Sequence, residues 1–156
     1  MDKSNRRNHD PNELVDELTD IGILSKRQSQ AVVYLEIKDD PEKNARSLFG
    51  ISETELEDKR EGANEMIEAA EATINVSKSD MGIENRIEKL HEEGVLLEPE
   101  AKSYVHFDCA DESTLVQKVG RSPSDIEEYK ETAEERIEQC YSLAYFLDEH
   151  AGIEIY

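Results

Sequence analysis

The sequence predicts an all-α fold made of tandem, duplicated helix-turn-helix units, each ending in a long helix. Three observations predict it. Between Ser52 and Asn75, Leu56, Ala63, Ile67, Ala70 and Ile74 recur at steps of seven, four, three and four. That spacing lays one apolar stripe along a helix of about six turns. Second, this helix has a start signal, because Ser52 followed by Glu55 reads as a capping box. Gly50 just before it permits the left-handed backbone of a sharp turn. Helix, glycine turn and capped helix together are the grammar of a helix-turn-helix. Third, the second half of the chain repeats this order.

Taken in order, residues 1–12 read as a disordered arm, locally basic through Lys3, Arg6 and Arg7. A basic arm of this kind can lie along DNA or serve only as a solubilising tail. A first helix is expected from about Glu13 to Ile21, burying Leu14, Val15, Leu18 and Ile21 and ending at Gly22. Ser25 with Gln28 forms another capping box and opens a second helix through Asp39, with Ala31, Val32 and Leu35 inward. Asp40-Pro41 then starts a short third helix, with proline at the first helical position and Ala45, Leu48 and Phe49 inward. The long helix follows, closing a first unit of residues 13–75. Residues 76–84 lack periodicity and read as a linker. A second, degenerate unit spans 85–150, and AGIEIY at 151–156 is a tail that alternates like a short strand.

The repeat is read by superposing the halves. A shift of 72 places Gly94 on Gly22 and matches Val15 to Ile87 and Leu18 to Leu90. From Gly50 the shift becomes 70, pairing Ser52, Leu56, Ala63 and Ile67 with Ser122, Ile126, Ala133 and Ile137. Ser122-Pro123 keeps the cap. The stripe recurs as Ile126, Ala133, Ile137, Cys140 and Ala144. The shared turn, cap and Gly-(Ile/Val)-Leu entry point to internal duplication.

Composition narrows the function classes. The 156 residues carry 38 acidic against 18 basic side chains, a net charge of −20. Disorder fits badly, because apolar residues keep helical spacing, and an acidic tail fits badly, because the acids are spread evenly. A folded, carboxylate-covered surface resembles proteins of salt-accumulating archaea. In molar salt the Debye length falls to roughly 3 Å, which screens the self-repulsion. A halophilic, cytoplasmic protein is therefore expected. The N-terminus lacks the apolar core of a signal peptide, and no apolar run approaches the roughly 20 residues of a membrane span. Cys109 and Cys140 stand outside any zinc-ligand spacing and read as small buried thiols in a reducing compartment. His9, His91, His106 and His150 are dispersed, and neither a nucleophile motif nor a phosphate loop is present. Neither catalysis, a metal nor a cofactor is expected.

The first copy resembles the sigma-factor region 4 and LuxR-like helix-turn-helix group, in a variety common among haloarchaeal proteins. The residues that carry the likeness are Leu24-Ser25, Arg27-Gln28, Ala45, the Leu48-Phe49-Gly50-Ile51-Ser52 turn and the Glu68 to Thr73 run. This resemblance implies a transcriptional regulator that binds double-stranded DNA, with the helix from Ser52 entering the major groove. Ser52, Glu53, Thr54, Glu57 and Asp58, followed by Lys59 and Arg60, are then the groove-facing residues. Phosphate contacts fall to Lys26, Arg27, Lys43, Asn44 and Arg46, since helix N-termini and basic side chains both suit phosphate. The chain departs from the pattern in its acidic first turn and in Gly62, which weakens the helix by up to about 1 kcal/mol relative to alanine. Copy two, with Pro123, Ser124, Asp125, Glu127 and Glu128, offers no cation at its helix start before Lys130.

A second reading follows from the same acids. The scaffold can serve as a non-enzymatic interaction module that binds a transcription-machinery protein, or imitates DNA and occupies a basic groove. The long stripes can pack internally or against a second subunit in a homodimer.

Overall fold

The structure, a computed structural model, describes residues 10–37, 50–107 and 111–152. Among these every regular element is helical. Helix α1 covers Pro11–Asp20. Asp10 caps it, accepting a hydrogen bond from the Asn12 amide at 3.0 Å, and Pro11 fills the first turn, where no N–H is needed. The helix thus starts before Glu13, and a disordered arm extending to Asn12 is corrected. Asp10-Pro11 is the same start signal as Asp40-Pro41. Leu14, Val15 and Leu18 are buried as expected, whereas Ile21 is half-buried.

Helix α2, Lys26–Ala31, opens on the expected capping box. Ser25 Oγ accepts from the Gln28 amide at 3.2 Å, and Gln28 Oε1 accepts from the Ser25 amide at 2.9 Å. The helix then widens into a π-helix over Val32–Ile37. A continuous α-helix with Ala31, Val32 and Leu35 inward is therefore corrected. Ala31, Val32, Val33 and Tyr34 are all buried and Leu35 is only half-buried. Four consecutive side chains cannot all face one side of a helix, so this segment is enclosed on more than one side. The expected third helix, with Lys43, Asn44 and Arg46, lies outside the described residues. So does the tail from 153 to 156.

Gly50 has φ +64°, in the left-handed region, and α3 runs over Glu53–Ser77. Ser52 Oγ accepts from the Glu55 amide at 3.2 Å. Leu56, Ala63, Ala70 and Ile74 are at most 1% exposed and Ile67 is half-buried, so most of the stripe is covered within the single chain. The linker placed at 76–84 is shorter than expected. Val76 is buried and extends the helix, and α4 begins at Ile83. Helices α4 (Ile83–Glu92), α5 (Glu98–Phe107), α6 (Glu112–Val119) and α7 (Pro123–Ala151) complete the order.

The helices form two compact units. The first holds α1, α2 with its π-helical continuation, α3 as far as Ile67, and α7 from Ser142. The second holds α3 from Glu68, then α4, α5 and α6, and α7 as far as Tyr141. These units are not the two sequence halves, because each long helix contributes to both. The core of the second gathers Val76, Leu90, Leu96, Ala101, Val105, Ala133 and Ile137. In it Thr73 Oγ1 donates to the Ala69 carbonyl at 2.8 Å and accepts from the Val95 amide at 3.0 Å. This clasp ties α3 to the loop between α4 and α5.

Matching positions of the two halves behave alike. Gly120 has φ +74° and Gly50 +64°. Ser122 Oγ accepts from the Asp125 amide at 3.2 Å, as Ser52 does from Glu55. Leu18 and Leu90 are fully buried, as are Ala63 and Ala133. Glu100 Oε1 accepts from the Leu97 amide at 2.9 Å, repeating the Gln28 to Ser25 bond.

Candidate nucleic-acid interface

In the first unit the residues nominated from sequence sit at two helix starts. Lys26 and Arg27 are exposed in the first turn of α2, where Arg27 Nη1 donates to Gln30 Oε1 at 3.3 Å. Ser52, Thr54 and Lys59 are exposed on the first turns of α3, with Leu56 buried beneath them. Arg60 is half-buried and its Nη2 lies 3.0 Å from Glu36 Oε1. Lys26, Arg27, Lys59 and Arg60 are the Lys and Arg residues among those described in this unit.

One close approach relates the two helix starts. A Cβ added at Gly62 would lie 2.8 Å from Gln28 Nε2. A larger residue at 62 would have to displace the end of the side chain that closes the α2 capping box. Arg27 precedes Gln28, and Lys59 lies one turn before Gly62, so both cation pairs fall close to this helix–helix contact. The acidic character of the α3 start is equally plain, for Glu53, Glu55, Glu57 and Asp58 are all exposed.

Sequence reasoning missed Glu36, the π-helix that carries it and the Gln28–Gly62 contact. The apolar run Ala31-Val32-Val33-Tyr34 was a signal for the first two, being too broad for an α-helical stripe. Nothing local pairs Gln28 with Gly62.

The second unit presents a different surface. Asp111 caps α6, accepting from the Thr114 amide at 2.7 Å, and hydrogen bonding to the Thr114 side chain first, then to this amide, holds its carboxyl below the ordinary range. Lys130 is turned inward, with Nζ 3.9 Å from the Phe107 ring centroid and 3.4 Å from Glu134. It does not extend the α7 start as a free cation. Burial, and then the charges of Lys118 and Lys102, lower the pKa of His106 below its usual value. Glu100, buried in α5, meets Arg136 Nε at 3.2 Å. Cys140 is fully buried, and burial pushes its thiol up to about 11. Cys109 lies outside the described residues.

Among the described residues no cluster of three or more His, Cys, Asp or Glu could hold a metal ion, and no helix is long and apolar enough to cross a membrane. No known family profile, curated protein or solved structure matches the chain.

Proposed function

We propose that this protein is a DNA-binding transcriptional regulator of a halophile, acting in a salt-rich cytoplasm through its first helix-turn-helix. The observation that supports the reading is the Gln28–Gly62 approach, which brings the α2 start and the first turns of α3 together. Exposed Lys26, Arg27 and Lys59 flank it. Lys26, Arg27, Lys43, Asn44 and Arg46 hold phosphates, and Ser52, Thr54, Lys59 and Arg60 approach the base edges. Arg60 must exchange Glu36 for DNA, a swap between two anionic partners. The matching caps, turns and buried positions favour descent of the two halves from one duplicated unit.

Selection of bound genomic fragments, followed by mobility shift in high potassium chloride, tests the reading. The parent should enrich a defined site. Arg46→Glu and Arg60→Glu should each weaken binding at least about tenfold, as loss and reversal of one phosphate or base contact implies. No enriched site, or variants that bind like the parent, refutes it.

The exposed Glu53, Glu55, Glu57 and Asp58 favour a second reading, an interaction module whose acidic helix occupies a partner's basic groove. It predicts capture of a transcription-machinery protein with no DNA site, and loss of that capture on Glu53→Lys with Glu57→Lys. Homodimer formation through the stripes has little to draw on, since the chain itself covers most of their apolar positions.

A further inference from the structure

The second unit holds a groove that the DNA reading does not use. Phe107 at the end of α5, Leu115 of α6 and Pro123 and Ile126 of α7 line a cavity of about 280 Å³, together with Glu112 and Glu127. The left-handed turn at Gly120 ends α6 and allows α7 to start beside it. Leu115 and Ile126 are 7% and 2% exposed and form its floor. Glu112, Pro123 and Glu127 are exposed at its rim.

Size and charge together specify the occupant. The cavity falls just below the roughly 300 Å³ at which drug-sized ligand pockets begin, which suits one or two apolar side chains. Among the described residues its lining contains no cation. Lys130, the nearest along α7, already has the Phe107 ring and Glu134 as partners, and neither Lys118 nor Arg121 lines it. Asp111, Asp125 and Glu128 are exposed on the same helix starts. Such a rim repels phosphate and acidic peptides, whereas Lys and Arg can lay their stems on apolar surface and their heads against carboxylates.

We infer that this groove docks a basic peptide segment of a partner protein. An apolar side chain of that segment enters between Leu115 and Ile126, and flanking Lys or Arg side chains meet Glu112 and Glu127. The site is independent of the DNA-contacting residues, so either assignment can fail without the other.

The test is fluorescence anisotropy with the full-length chain in potassium chloride of about 1 M, where long-range attraction is screened. The probes are two labelled peptides, one with a central leucine flanked by lysines and arginines, the other with serine in place of the leucine. The leucine peptide should bind at least about tenfold more tightly, the margin that burial of one leucine side chain implies. Glu112→Lys combined with Glu127→Lys, both at exposed sites, should weaken it at least about tenfold while circular dichroism stays unchanged. Lys26→Glu with Arg60→Glu should leave it unaltered. In ¹⁵N-labelled protein the shifted amides should include Leu115 and Glu127. Absence of binding, equal binding of the serine peptide, insensitivity to the rim variant, or shifts located elsewhere each overturn the proposal.

Discussion

Cys140 shows what burial does to a reactive group. Its thiol is fully buried and its pKa raised to about 11 from the ordinary 9.0, burial outweighing the hydrogen bond with Thr73 and the charge of Arg136. A raised folded-state pKa stabilises the fold below the unfolded value. That contribution is lost as pH rises through the folded one. Stability should therefore fall between about pH 9 and 11. In a Cys109→Ser background the thiol should resist iodoacetamide at pH 8 until the protein is unfolded. Labelling as fast as in denaturant contradicts this. Glu100 and Arg136 make the second residue-scale case. Glu100→Gln retains the bond to the Leu97 amide, as Gln28 retains that to Ser25, and should cost about 1 kcal/mol. Arg136→Ala strands a buried carboxylate. It should cost about 2 kcal/mol, less than a fully buried pair because the Arg136 side chain is 41% exposed. Urea unfolding of both variants decides whether the order holds.

At the scale of the element, α2 and the first turns of α3 are coupled through Gln28 and Gly62. Alone, Gly62→Ala gains up to about 1 kcal/mol of helix propensity but pushes its Cβ into the Gln28 amide, so the two effects should nearly cancel. In a Gln28→Ala background the obstruction is gone, and the same substitution should stabilise by about 1 kcal/mol. A double-mutant cycle from thermal melts measures this directly. Equal effects in both backgrounds would mean that the contact carries no energy. The π-helix belongs to this scale too. It aims Tyr34 so that its hydroxyl donates to Asn12 Oδ1 at 3.3 Å, and it carries the Glu36 that holds Arg60.

For the whole molecule the governing quantity is the net charge of −20. Glu100 is the one buried Asp or Glu among the described residues, so the described acids otherwise repel one another at or near the surface. Raising potassium chloride from about 0.1 to about 1 M shortens the Debye length from about 10 to about 3 Å. The melting temperature should then rise by more than about 4 °C, which is about 1 kcal/mol for a chain of this size. A flat or falling melting temperature would contradict a fold adapted to salt.

Local signals sufficed for helix starts, turns and stripes. Ser25, Ser52 and Ser122 cap because a side-chain oxygen meets an amide three residues on. Gly50 and Gly120 turn because glycine bears no Cβ. Leu56, Ala63 and Ile74 are inward because helical spacing puts them on one face. Partnership was not legible, since it depends on residues far apart in sequence. The π-helical turn, the Glu36–Arg60 pair and the division of each long helix between two units follow from packing. Gly22 and Gly94 condense the distinction. They align in the sequence as the same turn, and Gly22 does adopt φ +98°. Gly94 has a different constraint, for a Cβ there would lie 2.5 Å from Thr73 Oγ1 and 2.7 Å from the Leu90 carbonyl oxygen. The letter and its position were set by sequence, but only the placing of Gly94 between Thr73 of α3 and the Leu90 carbonyl of α4 decided that no larger residue fits.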